Sequence, residues 1–432
     1  MGAVTAGTRS LVWLVAAATA VFVACSLVGP GGLRTSWHAA DVSYYGQLGQ
    51  RLSDGEFPYR TLYVEYPPGA LPVFLAPSVS QADYVVLFKL LMTACGVAAL
   101  AATAAAAASV ERRTGRVALS LVPLATAPVL LGSVFLNRFD PWPMLLTAVG
   151  LAALLRSRPV LGAAGLAGAV VTKIFAAAAL PVVAVQIVRA WGRTALRNAT
   201  LVFLAICAVV VLPFALLGPG GLAFSFYIQL TRHLELESLG ASILLAADRL
   251  GLYHAHIVDG EPGSRDLAGA FATAVGALST VAAVVALLGA AYLFAKGPAS
   301  RRRLAAGVAA ALAGYVAFGK VLSPQYVVWL LPVVPVVAGR VGYAATALLL
   351  TALGLTHLEF SHWNSINRVG PAIWLVVARD LVLVAVYAVL VLELRRTASP
   401  RPDGVAFGEW PGHPTQPDFA PTPPPASVHR SA

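Results

Sequence analysis

The polar residues that could do chemistry lie between long apolar runs, and Asp41 is the first of them. It stands in Trp37-His-Ala-Ala-Asp41-Val-Ser-Tyr-Tyr45, shortly after the first apolar run. Trp37, Tyr44 and Tyr45 are of the types that anchor a chain at lipid headgroup level. A carboxylate held there meets both a lipid phosphate and a water-borne hydroxyl, which suits a general base. The alternative is that Asp41 caps a helix over 42–52, because Asp is a favoured N-cap.

Two cations follow in or beside apolar segments. Arg138 lies in Asn137-Arg-Phe-Asp140, where it either binds a phosphate or sugar hydroxyl or simply pairs with Asp140. Lys173 stands alone between two apolar halves. An ionisable residue at membrane depth is a functional candidate, and a lysine that snorkels from a helix end is the competing interpretation.

Two further motifs combine aromatic and polar groups. Glu65-Tyr-Pro-Pro-Gly69 predicts a turn followed by a proline-started helix, with Tyr66 free to stack on a sugar. In the segment 318–326, Lys320, Gln325 and Tyr326 suit an anionic headgroup. The alternative for that segment is a charged helix terminus before another proline-started helix.

The long polar segment 218–268 contains four neighbouring ionisable residues on a predicted interfacial helix: Arg232, His233, Glu235 and Glu237. A solvated charged face explains most of them, and Arg232, His233 and Glu237 are also candidates for substrate binding. His254 and His256 flank one residue without an obvious third ligand, so no metal site is predicted. In the last apolar run, Arg379 and Asp380 predict a buried ion pair.

The elements that position these residues follow from composition. The chain is 58% hydrophobic and 11% charged, whereas a soluble domain carries about 25% charged residues. The apolar runs are continuous rather than alternating, so the predicted spanning element is the helix, at roughly 20 residues per span. The fold class is therefore an all-α polytopic membrane protein with about 11–13 spans and interfacial helices on its outer face. The apolar segments are 11–29, 82–110, 117–136, 141–155, 159–171, 174–188, 198–217, 269–295, 304–319, 324–338, 341–357 and 371–393.

The connections between these segments alternate between two classes. One class holds 15 Lys and Arg with few carboxylates, and the other holds 10 Lys and Arg against 12 Asp and Glu. Because basic loops stay in the cytoplasm, both termini are predicted to be cytoplasmic and the mixed loops 30–81, 218–268 and 358–370 to lie outside a plasma membrane. The net charge of +11 is explained in the same way, without nucleic acid as a partner.

The chain ends are treated separately. The first apolar run is interpreted as an uncleaved span rather than a signal peptide, because it continues past Cys25 and further spans follow. Residues 1–396 form the predicted membrane domain. Residues 397–432 are rich in proline and poor in aliphatic residues, and are predicted to be a disordered cytoplasmic tail. Three cysteines inside apolar runs show neither metal nor disulfide spacing.

These motifs together resemble the GT-C class of membrane glycosyltransferases, and within it glycosyltransferase family 87. The resemblance covers residues 11–393 and depends on the order of the motifs, since each is short. The segments that carry it are Asp41-Val-Ser-Tyr-Tyr45, Phe57-Pro-Tyr59, Glu65-Tyr-Pro-Pro-Gly69, Lys173 and Lys320-Val-Leu-Ser-Pro-Gln-Tyr326.

The resemblance implies a GT-C-like bundle that transfers a sugar, such as mannose, from a polyprenyl-phosphate donor to a glycolipid or glycan. Asp41 falls where the family carries its catalytic carboxylate, and Lys173, Lys320 and Arg138 become candidates to hold the phosphate. Asp140, Tyr44, Tyr45 and the other polar residues named above complete the predicted substrate site. No cofactor is expected, because the donor is already activated and no Walker-type phosphate loop occurs. Two rival hypotheses are a transporter or lipid-linked-sugar flippase and a non-catalytic relative of the enzymes.

Overall fold

The computed structural model describes residues 2–35, 40–80, 83–260 and 264–398, with side chains from residue 7 onward. The predicted anchor Trp37 and nearly all of the predicted disordered tail, from residue 399, lie outside the described residues. The rest is predominantly helical, as the long apolar runs predict.

The helices follow the apolar runs closely. They are α1 Gly2–Val28, α2 Ala40–Ser53, α3 Leu71–Leu75, α4 Tyr84–Val110, α5 Thr114–Leu130, α6 Ser133–Leu136, α7 Pro141–Leu155, α8 Pro159–Thr172, α9 Leu180–Leu217, α10 Pro219–Thr231, α11 Leu239–Arg249, α12 Ala270–Ala295, α13 Arg301–Phe318, α14 Gly339–Ser361, α15 Trp363–Ile366 and α16 Ile373–Arg396. Short 3₁₀ helices occupy Pro68–Ala70, Ala76–Val79, Ile174–Ala179, Pro324–Leu330 and Val334–Val336. Within the described part of the chain, six helical segments are long and apolar enough to cross a membrane.

The positions of two helix breaks agree with the sequence predictions, and a third predicted connection is reduced to a break at one residue. The chain is extended at Lys173, between α8 and the 3₁₀ helix Ile174–Ala179, which confirms the predicted break there. The proline-started helix after Tyr66 is also present, at Pro68–Ala70. The predicted basic connection between 188 and 198 is instead helical, interrupted at Gly192, whose φ of +81° suits glycine.

The segment 324–338 is not a continuous helix, contrary to the sequence prediction. It consists of the two 3₁₀ helices Pro324–Leu330 and Val334–Val336, and most of it is buried. Pro332 and Pro335 lack the backbone N–H that interior positions of a helix use, which disfavours one continuous helix over 324–338. The consequence is that Tyr326 and Trp329 lie on an irregular segment inside the bundle.

A small antiparallel sheet, which the sequence analysis did not predict, replaces the expected interfacial helix around residue 235. Its strands are β1 Leu234–Glu235, β2 His256–Asp259 and β3 Arg265–Ala268, in the order β1-β3-β2. Helix α10 ends at Thr231, so Arg232 and His233 lie in the connection to β1. Leu234 and Leu267 pair across the sheet and are both buried. The charged neighbours of these leucines, Glu235 and Asp266, are buried as well and do not form a solvated face.

Three arginines from the predicted basic connections bind backbone carbonyl groups, and we call them the arginine caps: Arg116, Arg189 and Arg303. Arg303 donates to Leu293 O at 2.7 Å and to Leu394 O at 2.8 Å, in the last turns of α12 and α16. Carbonyls of a last helical turn lack intrahelical donors and carry partial negative charge. The caps therefore satisfy helix ends and join neighbouring helices without any carboxylate.

Candidate active site

Asp41 and Arg138 form an ion pair between helix α2 and the turn before α7. Asp41 lies in the first turn of α2, one residue inside its start at Ala40, so the alternative that it is the N-cap for 42–52 is wrong. A carboxylate in a first turn is stabilised by the helix dipole, which favours its ionised form. Its side chain is 32% exposed, so solvent and a ligand have access to it.

Asp140 and Lys173 form a second ion pair, so Arg138 and Asp140 do not simply pair with each other. Lys173 Nζ lies 2.8 Å from Asp140 Oδ1, and Trp329 Nε1 donates to the same oxygen at 2.6 Å. Asp140 is fully buried and Lys173 is 16% exposed. The lysine thus points into the protein, and the snorkelling alternative is wrong.

Aromatic rings surround the second pair. Trp329 stacks between Phe175, with ring centroids 4.1 Å apart, and Tyr326, at 4.0 Å. The Lys173 ammonium lies 4.8 Å from the centre of the Phe139 ring and 5.1 Å from that of Trp329. A cation over desolvated rings is stabilised by their quadrupoles, which helps to keep Lys173 charged there.

Arg232 and Glu235 form a third ion pair beside these two. Their closest atoms are 3.1 Å apart, and Ser323 Oγ donates to Glu235 Oε1 at 2.9 Å. Glu235 N also donates to Lys320 O at 3.0 Å, so β1 lies along the segment after α13. The solvated-face interpretation is therefore wrong for Arg232, Glu235 and Glu237, while His233 is exposed.

Electrostatic contacts join the three pairs into one site. Burial lowers the pKa of Arg138 to about 10, and Asp140, Glu237 and Glu235 oppose this shift. The Arg138 guanidinium therefore interacts with carboxylates of its own turn and of the β1 region, and it remains charged at neutral pH. Its Nε and the Nε of Arg232 are buried and have no hydrogen-bond partner among the described residues. These two N–H groups are candidate donors for an anionic ligand.

The remaining predicted site residues differ in position. Lys320 is partly exposed, and its ammonium donates to Leu230 O at 3.0 Å; burial lowers its pKa. Gln325 is half-buried, and its Oε1 has no partner within the described part of the chain. Tyr44 is half-buried and contacts the rings of Tyr45 and Tyr66.

Tyr45 belongs to the core instead of the headgroup surface that the sequence analysis proposed. It is 2% exposed and stacks on Phe74 with centroids 4.7 Å apart. Its ring also lies 5.9 Å from Tyr66 and 5.7 Å from Phe139. Tyr45 is therefore a core residue that packs behind the rings of Tyr66 and Phe139.

A buried ionic network continues from the site into the helices. The predicted Arg379–Asp380 pair is confirmed, at 2.8 Å, and Arg379 also lies 3.3 Å from Glu359. Arg379 Nη2 donates to Glu237 O at 2.6 Å, which fixes the residues after β1 against α16. Burial raises the pKa of Glu237 well above its ordinary value, and the Glu359 and Glu235 carboxylates add to this shift.

Three residues of the site had no role in the sequence analysis. Glu65 begins the Glu65-Tyr-Pro-Pro-Gly69 motif, in which only Tyr66 was given a possible contact with the sugar. Glu235 was assigned to a solvated charged face, and Trp329 lies in an apolar run. Glu65 is only 4% exposed, and the charges of Arg232 and Lys173 act on its carboxylate. An isolated carboxylate followed by Tyr-Pro-Pro-Gly was the available signal for it, because the prolines restrict its direction. No sequence signal marks Trp329.

Within the described ranges, no group of three or more His, Cys, Asp or Glu residues is arranged to hold a metal ion. His254 lies beside His256, with ring centroids 5.0 Å apart, and 3.7 Å from Asp248.

Comparison with known proteins gives a likeness to solved structures but none to known sequences. The chain matches no protein-family model and no curated protein sequence. Its fold is similar to the crystal structure of the Archaeoglobus fulgidus oligosaccharyltransferase tethered to an acceptor peptide that contains the NVT sequon. The TM-score is 0.45 and the identity 15%, over 91% of this chain and 56% of that one. The chain therefore spans little more than half the length of that structure.

Proposed function

We propose that the protein is a membrane glycosyltransferase that moves a sugar, mannose in the first instance, from a polyprenyl-phosphate donor to a glycolipid or glycan acceptor. The observation that carries this proposal is the Asp41–Arg138 pair, which puts a partly exposed carboxylate beside a cation that has unused donors. The order of the sequence motifs that resemble family 87 supports the same reaction class.

The donor phosphate and Asp41 compete for Arg138 in this mechanism. When the phosphate approaches, Arg138 and Arg232 turn their unpaired Nε–H groups to it, since arginine binds phosphate through several donors at once. Asp41 then loses part of its ion pair and becomes a stronger base. Pairing in the free protein keeps it ionised until the donor is in place.

The chemical step is one displacement at the anomeric carbon. The acceptor hydroxyl oxygen forms the new bond to that carbon, and the bond from the carbon to the phosphate oxygen breaks. The electron pair leaves with the polyprenyl phosphate, whose charge the arginines stabilise. Asp41 takes the proton of the acceptor hydroxyl, in the role of general base. The Lys173 ammonium and the half-buried rings of Tyr66 and Tyr326 position the sugar ring, while the buried Asp140 holds Lys173 and the buried Trp329 supports Tyr326 from behind.

The proposal places the site on the outer face of the plasma membrane, with both termini in the cytoplasm. The support for this orientation is the excess of Lys and Arg in the connections that carry the arginine caps. Labelling of single cysteines introduced at exposed Arg60 and at Arg396, from outside intact cells, tests it directly. Labelling at residue 60 alone is the expected result.

The decisive experiment is sugar transfer from polyprenyl-phosphate mannose to endogenous glycolipids in membranes. We compare the wild type with Asp41→Asn, and with Asp54→Asn as a matched control, because Asp54 is exposed and its carboxylate accepts a surface hydrogen bond from Gln50. Loss of about 10²-fold or more in Asp41→Asn alone is expected for a missing general base. Transfer that survives this change would remove Asp41 from the mechanism.

A transporter is the second candidate, favoured by the buried Glu359, Arg379 and Asp380 on two helices long enough to span. Ionisable groups inside spans mark ion and substrate pathways in many transporters. Proteoliposomes that translocate the lipid-linked sugar without transferring it would support this function and contradict the first.

A further inference from the structure

The backbone around Glu65 is held by contacts on both sides. Gln229 Nε2 donates to Glu65 O at 3.5 Å, and Tyr59 OH donates to Tyr66 O at 2.6 Å. Gly69, four residues on, touches the end of α8: a Cβ at this position would lie 2.7 Å from Val171 O. The Tyr-Pro-Pro-Gly turn therefore packs directly against Val171 and Thr172, the two residues before Lys173.

The carboxylate of Glu65 is buried but incompletely paired. Tyr66 donates a hydrogen bond to it, while Oε2 has no hydrogen-bond partner among the described residues. Lys173 and Arg232 stabilise its charge from a distance. A buried acceptor without a donor costs roughly 1–3 kcal/mol, so a fold that keeps it has a reason other than stability.

We propose that Glu65 selects the sugar: its free Oε2 accepts a hydrogen bond from a ring hydroxyl of the donor sugar. The inference rests on the proposed function. Lys173 and Arg232, whose charges act on Glu65, belong to the part of the site proposed to bind the donor. A phosphate bound by Arg232 and Arg138 puts the attached sugar, and not the acceptor, next to Glu65.

The chemistry of the carboxylate fits a hydroxyl better than other ligands. Because burial raises the pKa of Glu65 to about 7, the carboxylate is mostly ionised above neutral pH; in that form it only accepts hydrogen bonds, and a sugar presents several O–H donors around its ring. A site built to bond one hydroxyl rejects a sugar that lacks it, because the buried acceptor then stays unpaired. Glu65 therefore distinguishes sugars by the position of a single hydroxyl, whereas Asp41 handles the proton of the acceptor.

The test compares wild type, Glu65→Gln and Glu65→Ala on polyprenyl-phosphate mannose and on donors that lack one ring hydroxyl each. Glu56→Gln is the matched control, because Glu56 lies nearby, is paired with Arg51 and lies outside the site. The wild type is expected to lose about 10²-fold in kcat/KM on one deoxy donor in particular. Both Glu65 variants are expected to lose at least tenfold on the full donor and almost nothing further on that deoxy donor.

Each outcome separates this inference from the proposed function. If the variants lose the same factor on every donor, Glu65 has a structural role and the inference is overturned, while the transferase function stands. If the loss depends instead on which hydroxyl of the acceptor is removed, the donor assignment is overturned. If the wild type transfers no sugar from any polyprenyl-phosphate donor, the proposed function fails, and this inference fails with it.

Discussion

The arginine caps and the candidate active site use the same cations in opposite ways. In the caps, Arg303 is 2% exposed and, within the described part of the chain, donates to three backbone carbonyls and a threonine hydroxyl. In the site, Arg138 and Lys173 each pair with a carboxylate that comes from another segment. A carbonyl cannot change its charge or release a proton, so a cap can only hold helices together. An ion pair can exchange its partner for a ligand, which gives the site its capacity for chemistry.

The two regions also differ in how their buried polar groups are paired. The cap arginines satisfy groups that every helix end leaves unpaired, so their burial stabilises the fold. Among the described residues, buried unpaired atoms occur in both regions, namely Arg116 Nε and Arg303 Nε in the caps and Glu65 Oε2, Asp140 Oδ2 and Arg138 Nε in the site; the site differs in that unpaired carboxylate oxygens lie beside unpaired cation donors. Such incomplete pairing costs stability and is characteristic of places where a ligand completes the hydrogen bonds.

The largest expected effect comes from Asp140→Asn, which sharpens the comparison at the site. The change leaves Lys173 as a buried cation without its partner, so we expect a loss of roughly 3–5 kcal/mol in stability and about 10²-fold or more in sugar transfer. Thermal unfolding in detergent and transfer assays measure both.

The double variant Asp140→Asn with Lys173→Met separates the two losses. It removes both charges, so stability is expected to recover because a neutral pair needs no compensation. Transfer is expected to stay low. Recovery of transfer as well would show that the pair is a structural element like the caps.

A smaller effect is expected from Arg303→Met, which tests the caps. The variant removes the hydrogen bonds from Arg303 to the carbonyls of Leu293 and Leu394, so the free energy of unfolding should fall by about 3 kcal/mol. Below the lowered Tm, kcat should stay within about twofold of the wild type. A large fall in kcat at a temperature where the variant is folded would break the proposed division between caps and site.

The smallest effect concerns Glu65 and pH. Burial raises the pKa of Glu65 to about 7, against the opposing hydrogen bond from Tyr66 and the charges of Arg232 and Lys173. The folded protein therefore binds the proton more tightly than the unfolded chain does. Stability from this group is complete at pH values below its ordinary pKa of 4.5 and is lost as the pH rises to about 7.

We expect the wild type to lose about 2 kcal/mol relative to Glu65→Gln between pH 5.5 and pH 7.5. Thermal unfolding of the two proteins in detergent at a series of pH values measures this difference. Parallel curves for the two would contradict the expected titration. The Arg303→Met variant should follow the wild-type curve with a constant offset, because no group in the caps titrates in this range.

Local sequence patterns predicted the membrane helices and several of their breaks. Continuous apolar runs gave helices such as α4 and α12, and the isolated Lys173 marked an interruption. They failed at 324–338, where hydropathy indicated a span and Pro332 and Pro335 disfavour one continuous helix. Hydropathy sums side chains over a window and takes no account of missing backbone donors, so it could not distinguish the two.

The sequence by itself determined which residues could carry charge inside the protein: Asp41, Arg138, Asp140, Lys173 and the Arg379–Asp380 pair all stand out against apolar surroundings. Only the tertiary structure decided their partners. Arg138 is two residues from Asp140 but pairs with Asp41, almost a hundred residues away in the chain. Glu65 joins the same site from the Glu-Tyr-Pro-Pro-Gly motif and Trp329 joins it from an apolar run, and neither segment shows in sequence which residues it will contact. The physical reason is that an ion pair depends on the distance between charged atoms in space, which helix packing sets and sequence separation does not.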